Sequence, residues 1–461
     1  MKARRLFGSI FTILMLNGLL FAQNTGSASD SLTLKDCIII ALDNNPNIKS
    51  AGYNRESAGW DKEGSYQGIL PRFDFNLGIG QSVTGSSQFT TFNPTGVDTL
   101  TGDVIYEQTI RTTPKSFLRT NTLGITLNQN IYDGGIWWNR IGQGKTTLKS
   151  SEYNFESERN NVILTVEQAY YTLMKDKKLL EVRELAVSRS QEQYDRAEKM
   201  YEIGATAQID VFRAKVSLGK DRINMLLQQN LVVQSRKNLN IAMGREPLTP
   251  LLVKMEFHPL GNLPAIDDLI ETAFERQPLL KKNTEDIKLE DYNISLSKGS
   301  LFPRISAYAN YSRSHEDLTK VLKDWNMNYR YSYGIQLSYN IFNGFNDKVN
   351  VQKAKIRKKI AQENFESFKR QLKSSIHQYY IDYQSYLNII AINRENLAAA
   401  KEELRLAEER YQIGAGTSLD VRTAQLSLTE AEQTLVAALF NARVTLDQLN
   451  NQLGLSYENL K

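Results

Sequence analysis

Few residues in this chain have both the type and the spacing that chemistry needs. Gly142-x-Gly144-Lys145-Thr146 has the flavour of a phosphate loop, yet it lacks the GxxxxGK[ST] spacing and falls at the start of an expected helix. The three His, at 258, 315 and 377, lie far apart and form no HExxH or similar ligand cluster. A single Cys excludes an intrachain disulfide framework and a multi-cysteine zinc or iron–sulfur site. That residue, Cys37, sits in the apolar run Cys37–Ile40 and reads as packed rather than nucleophilic. Glu402, Glu403, Glu408 and Glu409 lie beside Lys and Arg, as on a solvated helix face. The expectation is a protein without cofactor, metal site or catalytic centre, which disfavours an exported enzyme.

Two acidic positions stand out by placement. Asp210 and Asp420 each fall in the first turn after a Tyr-x-x-Gly bend, Tyr201–Gly204 in one case and Tyr411–Gly414 in the other. The glycines suit a left-handed position just past a helix end, and Thr206, and Thr417 or Ser418, can cap the returning helix. A carboxylate there offsets the helix dipole, and Thr417-x-x-Asp420 resembles a variant capping box. Asp133-Gly134-Gly135 and Asn343-Gly344 fall where a strand gives way to a long helix; Gly permits the change of direction and Asp or Asn caps orphan N–H groups.

The elements that must position these residues begin after a leader. Lys2, Arg4 and Arg5 precede an apolar run from Leu6 to Leu20, and Ala22 offers a small residue for cleavage, so 1–22 reads as an export signal. Without it the chain has 53 basic against 51 acidic residues, too even a balance to suggest nucleic acid. With 41% hydrophobic and 23% charged residues the composition is that of folded protein, and no later stretch reaches 18 apolar residues. A β-barrel stays open, because its strands are short and half apolar.

The chain is approximately duplicated. Ala41, Leu42 and Pro46 match Ala273, Phe274 and Pro278, and Leu70-Pro71-Arg72 matches Phe302-Pro303-Arg304, at an offset of 232. From Tyr201 and Gly204 onward the offset to Tyr411 and Gly414 is 210, which puts an insertion of 22 residues between 80 and 122, read as a long polar loop. The expected repeats are 23–244 and 266–454, each a helix, two strands and a long helical pair, with a Pro-bearing connector at 245–265 and a tail at 455–461.

Period-two alternation marks four strands: Phe73 to Ile79, Leu123 to Leu127, Ile305 to Tyr311 and Tyr333 to Ile341. Their second face reads as small and uncharged-polar, as a wet lumen requires. Four strands cannot close a barrel whose minimum is about eight, so the reading forces an oligomer. A seven-residue period runs through Leu173, Leu180, Val187, Tyr194 and Tyr201, and again through Tyr383, Ile390, Leu397, Leu404 and Tyr411. Leu218, Met225, Val232 and Leu239 repeat it, as do Ile209, Val216 and Ile223, and Leu428, Leu435, Ala442 and Leu449. Such a sustained period is coiled-coil packing.

In this order, and duplicated, these features resemble the trimeric outer-membrane efflux duct family, the TolC-like proteins of Gram-negative bacteria, over roughly 32–455. The matching segments are Ala41–Pro46, Leu70-Pro71-Arg72, Ile131–Gly135 against Ile341–Gly344, and the Tyr-x-x-Gly turns. The resemblance implies a membrane α+β fold: a homotrimer with a 12-stranded β-barrel, four strands per chain, continued by a long antiparallel α-helical tube across the periplasm. It implies passive conduction from a periplasmic adaptor and a proton-driven or ATP-driven inner-membrane pump, with outer-membrane lipid around the barrel. It also makes Asp420 and Asp210 candidate aperture residues, three copies of Asp420 forming a negative ring, while Asp133, Gly134, Asn343 and Gly344 mark the barrel-to-tube junction. Two departures weaken the ring: Thr423 stands where some drug ducts have a second acid, and Gly416 where an Arg can follow the bend, leaving Arg422 as a substitute pairing group. The competing reading is a periplasmic coiled-coil adaptor or scaffold without a barrel.

Overall fold

The computed structural model describes residues 31–255, 257 and 260–455. The expected leader at 1–22, His258 and tail residues 456–461 lie outside the described residues.

A reciprocal capping box starts the first helix: Asp36 N–H donates to Thr33 Oγ1 at 3.3 Å and Thr33 N–H to Asp36 Oδ2 at 2.9 Å. Helix α1 (Leu34–Asn44) leads through Asn45, which caps the next helix, into α2 (Pro46–Gly64), where Pro46 occupies the position that needs no N–H. After a short 3-10 turn come strands β1 (Arg72–Thr84), β2 (Ser87–Val97), β3 (Val104–Thr113) and β4 (Ser116–Tyr132). Helices α3 (Ile136–Glu202) and α4 (Gln208–Ala242) close the first half. The second half repeats the plan with α5 (Ile266–Arg276), α6 (Pro278–Gly299), β5 (Arg304–His315), α7 (Leu318–Lys323), β6 (Tyr329–Ser338), α8 (Asn346–Gln412) and α9 (Ser418–Gln452). At 67 residues each, α3 and α8 are rods of about 100 Å.

The expected polar loop between 80 and 122 is instead a β-hairpin, β2 pairing antiparallel with β3. Its Thr residues are strand formers as well as polar, and Phe89, Phe92, Ile105, Tyr106 and Ile110 are spread among them. The first repeat therefore holds four strands rather than two, and the extra pair lies outside the main sheet.

That sheet runs β1-β4-β5-β6, all antiparallel, with β1 and β6 as its edges. Its register aligns the apolar stripes of all four strands on one face. Phe73, Leu127, Ala309 and Tyr333 form one cross-strand row, and Phe75, Ile125, Tyr311 and Tyr331 the next. The other face carries Asp74, Thr126, Asn310 and Ser332, then Asn76, Gly124, Ser312 and Arg330. It is polar but not uncharged: Arg72, Asp74 and Arg330 share it, and Arg72 pairs with Asp74 at 2.9 Å. Strand β6 also stops at Ser338, short of Tyr339 and Ile341.

Helix packing follows the heptads in the second half and departs from them in the first. Tyr383, Ile390 and Leu404 are buried, as are Leu428, Ala442 and Leu449. In α3 only Leu173 of the expected seam is buried; the inward positions are Val182, Ala186, Ser190, Gln193 and Ala197, and Tyr201 is exposed. Among these, the small Ala186, Ser190 and Ala197 let two helices approach closely at positions beside Val187 and Tyr194, which are left only partly buried. In α4, Leu218, Val232 and Leu239 are buried as expected, whereas Ile209, Val216 and Ile223 are exposed.

The connector lies along the rods. Tyr170 donates its hydroxyl to Lys254 O at 2.5 Å, and Tyr383 donates to Gly261 O at 2.7 Å. Leu32 bridges Val253 in parallel, joining the segment ahead of α1 to the connector.

Candidate functional site

The two helical hairpins turn at one end of the molecule. Each turn is a Schellman motif: Gly204 N–H bonds Tyr201 O and Ala205 N–H bonds Met200 O, while Gly414 N–H bonds Tyr411 O and Ala415 N–H bonds Arg410 O. Both glycines take the left-handed backbone, φ +71° and +76°. The second turn is capped as its spacing suggests. Asp420 N–H donates to Thr417 Oγ1 at 3.2 Å and Thr417 N–H donates to Asp420 Oδ2 at 2.8 Å. Those hydrogen bonds from Thr417, backbone first, hold the Asp420 carboxyl below its ordinary range, with the Arg410 charge adding a smaller push. The first turn differs: Ala207 is the cap residue and offers no side-chain bond, so Thr206 does not cap the backbone but donates to Asp210 Oδ2 at 3.0 Å.

The structure brings Asp210 to the second turn, where Ser418 Oγ donates to its Oδ1 at 3.2 Å. Asp420 instead stays exposed, sharing a shallow hollow with Glu403, Arg410 and Thr423, whose hydroxyl is turned back onto Leu419 O at 2.9 Å. Tyr411 reaches Met200 across the tips, hydroxyl to sulfur at 3.8 Å. Arg422 makes a two-pronged bond to Asp221 of α4, at 2.7 and 3.0 Å. The guanidinium is thus committed within its own chain, and it ties the second hairpin to the first.

Asp221 escaped the sequence reading because its repeat partner is Ala431. The available signal was its place three residues after Leu218, inside a seam that otherwise takes apolar or small residues. A second missed link joins Arg189 of α3 to Glu432 of α9 at 2.8 Å. Higher on the same α3–α9 contact, Glu167 and Asp447 are both buried, with Arg443 bonded to Asp447 at 2.8 Å and lying over the Tyr171 ring at 5.4 Å. Burial first, then the Asp447 charge, pushes the Glu167 carboxyl up, against the pull of Arg443.

At the opposite end of α3, Asp133 accepts from Trp137 N–H at 3.0 Å, and Gly134 and Gly135 both have positive φ. Asn343 accepts from Asp347 N–H at 3.5 Å, a looser version of the same cap, and Gly344 again has positive φ. The glycine-rich stretch at 142–146 lies inside α3, where Gly142 faces the Tyr292 ring and Gly144 faces Ser65. Its glycines serve close helix packing. Cys37 is fully buried and its thiol is pushed up to about 12 by burial. Among the described residues no group of three His, Cys, Asp or Glu is placed to hold a metal ion, and no helix is long and apolar enough to cross a membrane.

Comparison with known proteins bears on this architecture. The chain is 25% identical over 315 residues to the antibiotic efflux pump outer membrane protein ArpC of Pseudomonas putida, covering 68% of this chain and 63% of that protein, just under two thirds of its length. It is 20% identical to outer membrane protein TolC of Vibrio cholerae over 419 residues, 90% of this chain and 89% of that one. Its fold matches the crystal structure of the Campylobacter jejuni CmeC outer membrane channel with a TM-score of 0.75 at 19% identity, covering 92% and 86% of the two chains. A sequence profile of the outer membrane efflux protein family matches residues 38–245 and 269–455, and the chain belongs to that family.

Proposed function

We propose that the protein is the outer-membrane duct of a tripartite efflux or secretion system. Three copies close a 12-stranded barrel, four strands from each, and their helical hairpins form a tube across the periplasm. The observation that carries this reading is the main sheet. One face exposes Phe73, Phe75, Tyr331, Tyr333 and Ile335 to the surroundings, while the outer side of each edge strand has no strand partner among the described residues. Surrounding lipid would cover that face, and joining β6 of one copy to β1 of the next would satisfy both edges, since a spanning sheet must leave no open edge. A periplasmic adaptor lacking a barrel gives no account of such a face.

The tips then face the periplasm. Substrate enters there from an adaptor ring and an inner-membrane pump, proton-driven or ATP-driven, and leaves through the barrel. Energy comes from the pump, so the duct itself needs no catalytic centre or cofactor, and nothing in its charge pattern suits nucleic acid. Cargo is chosen upstream, because the polar barrel face offers a few charges, two of them paired with each other, among small polar residues. Three Asp420 carboxylates, exposed and held ionised, form a negative ring at the periplasmic aperture, with Arg410 lowering its net field and Thr423 adding a neutral ring. Asp210, bonded to Ser418, plays the lesser part.

The test is reconstitution. Protein extracted from outer membranes with detergent should run as a trimer and open stepwise ion-conducting channels in a planar bilayer. A protein that stays soluble without detergent and conducts nothing would overturn the reading.

A further inference from the structure

The far end of the sheet, away from the helical rods, has a feature that the duct reading leaves unexplained. Arg313 of β5 belongs to the apolar face, in the row of Leu77, Leu123 and Tyr329, yet it is almost fully buried. Helix α7 and the turn after it cover it. Its terminal nitrogens donate to the carbonyl oxygens of Lys320 at 2.9 Å, of Met327 at 3.3 Å, and of Val321 and Asp324. The guanidinium also lies over the Trp325 ring at 5.0 Å. Asn121, one row further out, donates to the carbonyls of His315 at 3.3 Å and Glu316 at 2.8 Å, fastening the start of the same segment. Val321 is fully buried beneath the helix, whereas Leu322, Trp325 and Met327 are exposed.

A cation in an apolar row would ordinarily face lipid. Here it collects the orphan carbonyls at the end of a short helix and pins that helix flat against the outside of the sheet. Helix α7 packs on β4 and β5, the two central strands, and the turn after it leads into β6. Its exposed apolar side chains continue the apolar face beyond the rows of Tyr311, Tyr329 and Tyr331, whose rings stack at 6.4 and 6.2 Å. Trp and Tyr at such a border, with exposed Lys320 and Lys323 able to extend toward water, are the residue types of a membrane interface.

We propose that residues 318–327 form an interfacial anchor: an Arg313-clamped helix and turn that seats Leu322, Trp325 and Met327 at the headgroup–acyl boundary of the outer lipid leaflet. The proposal rests on the barrel reading above. It fixes the depth of the barrel on the side facing away from the rods, independently of the strands themselves.

Site-directed nitroxide labels test it in the full-length trimer reconstituted in phosphatidylethanolamine–phosphatidylglycerol vesicles; the native Cys37 is buried and does not compete for the label. Labels are placed singly by Leu322→Cys and Met327→Cys, with Ile335→Cys on the mid-face of β6 and Leu100→Cys at the hairpin tip as references. Collision with oxygen, against collision with a water-soluble nickel chelate, reads depth. Labels at 322 and 327 should favour oxygen several-fold more than the label at 100 and less than that at 335, placing them about 5–10 Å into the interface. If 335 favours oxygen while 322 and 327 behave like 100, or are shielded from both reagents, the anchor is refuted and the barrel stands. If 335 itself collides freely with the nickel chelate, the barrel reading fails with it. Arg313→Gln, in a trimer that still assembles, should move the label at 322 into water without changing 335; an unmoved label would refute the clamp.

Discussion

Replacing Arg422 by Met removes the two-pronged bond that joins α9 to α4 near the tips. The pair is mostly enclosed, Arg422 with 17% and Asp221 with 8% of its side chain exposed, and both bonds are charge-assisted. Removing one partner of a fully buried pair costs about 3–5 kcal/mol, chiefly because the remaining charge is stranded. Partial access of water at Arg422 lowers this, and about 2–3 kcal/mol is expected for local opening of the tip. At 1.4 kcal/mol per decade that corresponds to amide exchange roughly 30- to 140-fold faster. The acceleration should be confined to the first turns of α9 and the facing part of α4, read by hydrogen exchange and mass spectrometry on the detergent-solubilised protein. Asp221→Asn should do much of the same damage, and the Arg422→Met/Asp221→Asn double variant should lose less than the sum, since no charge is then stranded. Arg422→Lys keeps the charge but not the fork geometry and should fall between. Additive single effects, or acceleration spread evenly along both helices, would show that the bond does not hold the tips together.

Three further outcomes follow from named contacts. Asp420→Asn retains an oxygen for the Thr417 backbone while removing the charge of each carboxylate in the proposed ring, so reversal potentials under a salt gradient should lose cation preference; unchanged selectivity would sink the ring, and Asp210→Asn should have the smaller effect. Glu167 binds its proton more tightly folded than unfolded, so its contribution is complete below the free carboxylate range, about pH 4.3, and is lost as pH rises toward its raised folded value, by up to about 1.4 kcal/mol per pH unit. Thermal midpoints should therefore fall on going from pH 5 to pH 8, and Glu167→Gln should flatten that slope; a parallel slope would contradict the assignment. Gly134→Ala should abolish recovery of folded protein, because its new Cβ would lie 2.2 Å from Gly299 O at φ +77°, whereas Gly344→Ala, in open space at φ +67°, should lose only the left-handed cost of about 1–2 kcal/mol; equal yields would refute the crowding.

How much of this protein was legible in its residues depended on how local the signal was. Alternation of Phe73 to Ile79 and Ile305 to Ala309 is a backbone property of extended chain, and it named the main strands before any pairing was known. The Tyr-x-x-Gly turns and the Thr417–Asp420 cap are likewise contacts within a few residues, so spacing alone foretold them. The duplication foretold a second half that repeats the helix, strand and long-helix order of the first, without its extra hairpin. The hairpin at 87–113 was missed because Thr serves strand and loop alike, while Asn93, Pro94 and Gly96 lie inside β2 as turn-forming types.

Long-range choices stayed hidden. Heptads announce that a helix packs, but not which of several stripes faces its own chain, and α3 turned Ala186, Ser190 and Ala197 inward where Val187 and Tyr194 were expected. Asp221 and Arg422 are 201 residues apart, and Arg313 meets its carbonyls only because α7 folds back over the apolar face. Those partnerships arise from where helices and strands come to rest after folding, so tertiary structure alone decided them. By itself the sequence determined the repeat, the main strands, the rods and their turns, because each of those is set by hydrogen bonds and periodicities that span only a few residues.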